Sequence, residues 1–344
     1  MKVFFEEKHD YSGLKNIIGD TIERNRLLRL KNGDRVLLKP NLLTDKPLAI
    51  SKHEMIKAVA EVFIEMGAHV DIADSPGNAD SIDGIIRVAG LDSIPARYYF
   101  FDNENEKKYI NSFPVAKRIE DYDVIVNLPR LKTHILTVMT MGVKNLYGFI
   151  PGRPKKSYHV SHPDPYSFSS MLLSLYRSVK THLTILDGII GMQGNGPNNG
   201  DPIETGFIAI SRDPLALDIA VADYLNVKNF PLRNLSMEQG FRYLEIIGEL
   251  PPPPAIDIPS GPLLRLPYVG RLRRVAFPRK PRYKRENCTG CMACVLNCPT
   301  RAISMVYGNI LINYSRCIEC YTCIEVCNFD ALEVYNLNLK RRFE

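Results

Sequence analysis

All eight cysteines of this chain fall between positions 288 and 327, and that clustering constrains its C-terminal fold more than any other feature. They are spaced Cys288-x-x-Cys291-x-x-Cys294-x-x-x-Cys298-Pro299, then Cys317-x-x-Cys320-x-x-Cys323-x-x-x-Cys327. Thiolates at i, i+3 and i+6 wrap a short loop round an iron–sulfide cubane and bond three of its irons. Each run therefore predicts a [4Fe–4S] centre. Disulfides compete poorly, because three-residue steps suit a metal loop better than a bridge. Zinc uses CxxC pairs but needs neither a third step followed by Cys-Pro nor a repeat of the whole pattern.

The fourth cysteine of each run cannot turn back to its own cluster, and in two-cluster ferredoxins it ligates the other one. Cys288, Cys291, Cys294 and Cys327 are thereby assigned to one [4Fe–4S] cluster, and Cys317, Cys320, Cys323 and Cys298 to the second. The second run repeats the first 29 residues later, which sets Glu319 where the first run has Gly290. A carboxylate beside the second cluster is expected to make it the lower in potential.

With 344 residues, 45% of them hydrophobic, the chain is long enough for two domains and a large core. No apolar run approaches the ~20 residues of a membrane span, and Met1 to Glu7 lacks the apolar stretch of a signal peptide. The expectation is a soluble cytoplasmic protein in a reducing compartment. A net charge of +6 does not imply a nucleic-acid partner. It is unevenly spread: Arg265, Arg271, Arg273, Arg274, Arg279, Lys280, Arg282, Lys284 and Arg285 have no acidic residue among them. Such a stretch is a solvated linker offsetting the negative clusters, or a docking surface for an acidic redox partner.

Upstream, helical and strand patterns alternate, the mark of an α/β domain. Strands are expected at 3–6, 35–42, 69–73, 97–101, 124–128, 183–187 and 205–211. Helices are expected at 14–30, from a Ser51/Glu54 capping box to Met66, and at 82–91, 166–179 and 214–225, the last amphipathic. The crossovers predict a mostly parallel sheet with flanking helices. Pro251 to Pro254 stops regular structure, giving an α/β domain over 1–254, a basic linker over 255–283 and a small ferredoxin-like α+β two-cluster domain over 284–336.

Polar residues gather just after the apolar strands, where open α/β sheets bind ligands. The segments are Lys39-Pro40-Asn41, Asp74-Ser75-Pro76-Gly77, Arg130-Leu131-Lys132-Thr133-His134, Asp187-Gly188 and Ser211-Arg212-Asp213-Pro214. Each alone is equally a turn or a cap; five together predict a shared polar crevice. Lysines, hydroxyls and glycines from Leu128 to Gly152, extended by Arg153, Lys155 and Lys156, suit a small anionic ligand. His134, Lys132 and Lys144 are the candidate catalytic residues, with Lys39, Asn41, Asp74, Ser75, Thr133, Asn145 and Asp187 as substrate contacts. His134 is the acid–base candidate because nearby lysines would lower its pKa. His159-x-x-His162 has metal-ligand spacing, but Pro163 and Pro165 favour a loop and a non-metal role. Gly194-Asn195-Gly196-Pro197-Asn198-Asn199-Gly200 departs from nucleotide loops, and is expected to close over the crevice with Gln193 and Asn195.

Leu38-Lys39-Pro40-Asn41-Leu42, Asp74-Ser75-Pro76-Gly77, Asn127 to His134, Gly142-Val143-Lys144-Asn145-Leu146-Tyr147-Gly148, Asp187-Gly188 and Gly194 to Pro197, in that order, resemble the prokaryotic family catalogued as domain of unknown function 362. The remainder is similar to a bacterial-type two-cluster ferredoxin domain, with Asn328 where a second proline is usual and Arg130 where the family more often has lysine. The resemblance implies a fold and a site location rather than a reaction. Three functions follow from the residues: an iron–sulfur oxidoreductase moving electrons to or from a small anionic substrate; a non-enzymatic carrier or redox-sensing subunit docking a redox partner protein; or a non-redox ligase or isomerase whose clusters are structural.

Overall fold

A computed structural model describes residues 1–76, 82–103, 106–152, 154–242, 245–259 and 279–336. Gly77, Arg153, Arg265, Arg271, Arg273 and Arg274 lie outside the described residues. The central sheet contains β1 (Lys2–Glu7), β2 (Arg35–Pro40), β3 (His69–Asp74) and β4 (Arg97–Phe100). A separate hairpin, β5 (Lys107–Ile110) with β6 (Phe113–Ala116), precedes β7 (Val124–Leu128), β8 (Arg130–His134) and β9 (Val138–Thr140). The sheet is completed by β10 (Leu183–Gln193), β11 (Asp201–Ser211) and β12 (Glu245–Ile247). Its order is β12-β1-β11-β10-β7-β2-β3-β4, with β8 and β9 off this path. The run β10-β7-β2-β3-β4 is parallel throughout, as the crossovers predict, while β11 is antiparallel to both neighbours.

Strand alternation divides the core between the two faces. Val36, Leu38, Ile72, Val126, Ile185 and Ile208 pack on one side with helices Leu14–Arg24, His53–Glu65 and Ile82–Ala89. Leu37, Ala73, Ile125, Leu186 and Phe207 pack on the other with Pro165–Ser178 and Pro214–Tyr224. A strand covered on both faces reads as an unbroken apolar run, which is why Arg35–Pro40 was legible.

Two local expectations are corrected. Ser51 does not cap the second helix; Lys52 holds that position. The Ser51 hydroxyl donates to Leu128 O at 2.7 Å and accepts from Asn41 N at 2.8 Å, tying the ends of β2 and β7 together. Helix Pro214–Tyr224 is not amphipathic, since every residue from Pro214 to Ala222 is buried. Its Asp218 accepts from Gly142 N at 2.6 Å and Val143 N at 2.9 Å, pinning the first turn of helix Gly142–Asn145. Burial outweighs those two amides and pushes the Asp218 carboxyl up to about 8. Asp218→Asn sets an amide donor against an N–H and is expected to cost about 2 kcal/mol. A carboxyl raised in the folded state binds protons there that the unfolded chain has released, so wild-type stability falls as pH rises from about 4 to 8. Denaturant melts over that range should give a smaller decline for the variant.

The C-terminal domain is α+β. It pairs β13 (Arg279–Tyr283) with β16 (Leu332–Asn336), and β14 (Ile303–Val306) with β15 (Asn309–Ile312), around short helices Ala293–Leu296 and Thr322–Glu325. Arg279–Tyr283 closes the stretch read as linker, yet it is a strand of this domain. Two residues of the basic run are spent internally: Lys280 pairs with Glu319 at 3.2 Å and Lys284 with Glu333 at 2.7 Å. Tyr321, Cys323 and Ile324 belong to the same apolar cluster as Leu37 and Leu186, so the small domain is docked on the large one.

Candidate functional site

A cavity of about 430 Å³ lies where the two domains meet. The α/β domain lines it with Lys39 and Asn41 from the end of β2, Asp74 and Ser75 from the end of β3, and the cross-strand pair Lys132 and Thr140 from the β8–β9 hairpin. Helix Gly142–Asn145 adds Lys144 and Asn145, and helix Pro154–Ser161 adds Lys155 and His159. Leu296, Asn297, Thr322, Glu325, Val326 and Asn328 close it from the C-terminal domain. These residues alternate with cysteines: Thr322 and Glu325 bracket Cys323, Asn297 precedes Cys298, and Val326 and Asn328 flank Cys327.

One part of the lining satisfies itself. Lys39 Nζ donates to Asp74 Oδ1 at 2.7 Å, and Leu42 N to Asp74 Oδ2 at 2.7 Å. Burial lowers the Lys39 pKa while Asp74 opposes the shift. Gly148 packs against this ion pair because a Cβ there would lie 2.5 Å from Lys39 Nζ. Lys132 donates to Asn41 Oδ1 at 2.8 Å and Ala49 O at 2.5 Å; Asn41 donates to Asn145, and Asn145 to Asn127. Lys155, lowered to about 8 by burial, donates to Ser75 Oγ at 2.6 Å, and Ser75 donates to Asp102.

The other part does not. Among the described residues Lys144 Nζ has no hydrogen bond or ion pair, only the Tyr147 ring at 5.9 Å. Burial depresses its pKa, and the neighbouring Glu325 opposes that. Thr140 Oγ1, His159 Nδ1, Asn198 Oδ1 and Glu325 Oε1 are buried without hydrogen-bond partners. Burial, then Lys144, holds His159 down at about 3, so it is neutral. Burial raises the Glu325 pKa against the pull of Lys144 and Lys132.

Seven of the ten crevice residues picked from the sequence line this cavity: Lys39, Asn41, Asp74, Ser75, Lys132, Lys144 and Asn145. His134 stands behind it. Its Nδ1 accepts from Leu136 N at 3.0 Å and Thr137 N at 3.3 Å, which leaves the proton on Nε2. Nε2 is 3.3 Å from Glu325 Oε1 but misaligned, so neither atom has a hydrogen bond. Burial first, then Lys144, His159 and Lys132, keeps the imidazole neutral. Thr133 is spent on Gly194 O at 2.9 Å. Asp187 lies within the long β10 rather than at its end, and accepts from Tyr11 Oη at 3.1 Å. Asp213 caps helix Pro214–Tyr224 on the antiparallel β11, outside the cavity. The segment with His159 is a helix, not a loop, while His162 sits beyond its end, 2.9 Å from Ser161 Oγ. In the glycine-rich loop it is Pro197 and Asn198 that line the cavity; Asn195 is exposed.

Glu325 was missed, because a residue between two cysteines reads as part of the cluster loop. Asn328 had a sequence signal as the absent proline. Its Nδ2 donates to Asp45 Oδ1 at 3.4 Å and its Oδ1 accepts from Thr44 Oγ1 at 3.3 Å, contacts that join the domains. Asn198 and Asn199 add donors to the carbonyls of Glu325 and Cys327. Arg130 donates to Pro47, Ile50 and Ile190 carbonyls and fixes the loop behind Lys132.

The cysteines fit an iron–sulfur role. Cys288, Cys291, Cys294 and Cys327 line one small cavity with Met305, Ile310 and Leu332. Burial first, then Cys320, Cys317, Cys294 and Cys298 nearby, raises the pKa of Cys323. Ala302 N donates to Cys298 Sγ at 3.1 Å and Ala331 N to Cys327 Sγ at 3.3 Å, the same bond in each repeat. Gly290 and Glu319 share a left-handed backbone, at φ 76 and 58. Because Lys280 pairs with Glu319, its charge offsets much of the carboxylate's influence on the second cysteine set. Glu319→Gln is expected to raise, and Lys280→Met to lower, the potential of the centre held there. Redox titration of both variants checks the signs; equal shifts in one direction would refute the assignment.

This arrangement defines an α/β protein with an iron–sulfur, ferredoxin-type electron-transfer domain docked at the carboxyl ends of its parallel strands. Residues 36–223 match the family model described as domain of unknown function (DUF362), and residues 280–328 the one described as 4Fe-4S dicluster domain. The chain belongs to the DUF362 family. A thylakoid-associated protein of Synechocystis sp. is 38% identical over 208 residues, which are 58% of this chain and 65% of that protein. The chain thus spans less than two thirds of that relative. The putative electron transport protein YsaA of Escherichia coli is 41% identical over 49 residues, 14% of this chain and 31% of that one. The pyruvate synthase subunit PorD of Thermotoga maritima is 34% identical over 82 residues, 23% of this chain and 82% of that one. No helix among the described residues is long and apolar enough to cross a membrane.

Proposed function

We propose that this chain is a cytoplasmic iron–sulfur oxidoreductase in which two [4Fe–4S] clusters exchange electrons with a small anionic substrate in the interdomain cavity. One observation carries the reading: the cavity is lined by residues one or two positions from cluster cysteines and holds an unpaired lysine, Lys144. Adjacent Cα atoms are about 3.8 Å apart, so substrate and cluster ligands are close neighbours. Each cluster supplies one electron at a time. Lys144 binds the anion, while Lys39 and Lys132, held by Asp74 and Asn41, shape the floor. Glu325 reaches the substrate and handles its proton, with His134 behind it as a positioning residue.

The test uses anaerobically reconstituted, reduced protein mixed with small carboxylates. Oxidation of the clusters by one of them, lost in Lys144→Met, supports the reading; no response to any carboxylate refutes it. Substrate binding should weaken as pH rises through the burial-lowered pKa of Lys144, below the usual lysine range, because the neutral amine no longer attracts an anion. Lys144→Arg should hold affinity to higher pH, measured as KM against pH.

A second reading, a non-enzymatic carrier or redox-sensing subunit docking a partner enzyme, is favoured by the exposed Cys291 beside Met292, with Leu296 72% exposed. The likeness to a pyruvate synthase subunit supports a protein redox partner in either case. On the carrier reading, a partner protein reoxidises the clusters and no small molecule does.

A further inference from the structure

The cavity's uneven wall identifies the kind of molecule that fits it. Thr140, His159 and Asn198 line the cavity, are 4%, 6% and 7% exposed, and each carries a buried polar atom without a partner, as does Glu325, whose Oε1 is turned to His134. A buried polar atom without a partner costs about 1–3 kcal/mol. Those of Thr140, His159 and Asn198, around one cavity, mark where a ligand completes the missing bonds. Lys144 can only donate, so the ligand must bring an anionic acceptor. Asn198 can only accept on Oδ1, because its Nδ2 is committed to the Glu325 carbonyl. That amide oxygen has no donor, so the ligand must also bring one, and the Glu325 carboxyl lies in the same lining. Lys144 and Glu325 are each other's strongest charge partner, which sets acceptor and donor side by side. Lys39 is paired with Asp74, and Lys155 reaches Asp102 through Ser75, which leaves Lys144 for one negative charge rather than a phosphate's two. Leu43, Pro76, Leu296 and Val326 leave apolar surface for a carbon body.

We infer that the cavity binds a small monocarboxylate carrying a hydroxyl or ammonium group next to its carboxylate, with the carboxylate on Lys144 and the neighbouring donor on Glu325 and Asn198. Thr140 and His159 complete the carboxylate's remaining bonds. This rests on the cavity being the substrate site proposed above, and it restricts the substrates to hydroxy and amino acids.

The experiment compares matched probes on the full, anaerobically reconstituted protein by calorimetry: 2-hydroxy-4-methylpentanoate, leucine, 4-methylpentanoate and inorganic phosphate. Binding of the hydroxy acid or leucine at least about tenfold tighter than the donor-free acid is expected, corresponding to about 1.4 kcal/mol. The hydroxy acid and leucine arms distinguish a hydroxyl from an ammonium. Equal affinity for 4-methylpentanoate, tighter binding of phosphate, or binding of none of the four overturns the inference. Asn198→Ala should narrow the gap between donor-bearing and donor-free acids; an unchanged gap also counts against it. Cluster absorbance recorded in the same samples separates the two claims. Selective binding without oxidation or reduction leaves the inference standing and refutes the oxidoreductase, whereas redox exchange with 4-methylpentanoate and no selectivity does the reverse.

Discussion

Replacing Gly148 with alanine is expected to destabilise the α/β domain by about 3 kcal/mol. The new Cβ would overlap Asp74 Oδ1 and lie 2.5 Å from Lys39 Nζ and 2.8 Å from Lys39 Cε. Neither group has room to withdraw. Lys39 is fully buried and bonded to Asp74 and Pro40 O, and Asp74 also holds Leu42 N. Separating a buried ion pair strands two charges, which costs about 3–5 kcal/mol when one partner is removed outright. Partial relaxation brings the figure down. The thermal midpoint by far-UV circular dichroism should fall by about 5 °C or more. An unchanged midpoint would mean that the helix Gly142–Asn145 and its following turn can shift away, and that this glycine does not hold the floor of the cavity.

The second large effect concerns the cysteines. Cys298→Ala and Cys323→Ala are expected to remove the same cluster, and Cys327→Ala the other, each halving bound iron and sulfide. This follows if ligation is crossed as the spacing predicts, which puts Cys298 of the first run with the second set. Cys327 shares its small cavity with Cys288, Cys291 and Cys294, as the crossing demands. Paramagnetic resonance of the reduced proteins distinguishes the two residual clusters. If Cys298→Ala and Cys327→Ala left identical spectra, the assignment would fall. Cys323→Ala should also weaken the domain contact, because Cys323 is buried among Tyr321 and Ile324 against the large domain, whereas exposed Cys291 has no such second role.

Much of the fold was legible because its signals are local. The continuous apolar run Val36-Leu37-Leu38 can only be a strand covered on both faces, and the helix begun at Pro165 carries Asp164 as its cap, bonded to Tyr166 N and Ser167 N. The strand-end rule and the cavity agree on Lys39, Asp74 and their neighbours, because β2 and β3 are parallel and end together. It misplaced Asp187, since β10 runs six residues beyond it, and Asp213, since β11 is antiparallel. Strand length and direction depend on partners far along the chain. A five-residue apolar window carries no record of them.

By itself the sequence determined the iron–sulfur chemistry, the α/β architecture and most of the polar residues at the strand ends. Thiolate spacing and hydrophobic period are properties of neighbouring residues, so they survive without coordinates. Only the tertiary structure decided that the cysteine module is the fourth wall of the crevice rather than a tethered neighbour. Docking brings Glu325 to Lys144 and His134 across more than 180 residues of chain. It also leaves His134 behind the cavity and, among the described residues, Lys144 without a hydrogen bond or ion pair. Which polar atoms keep a partner depends on what packs against them, and that is fixed only when the two domains meet.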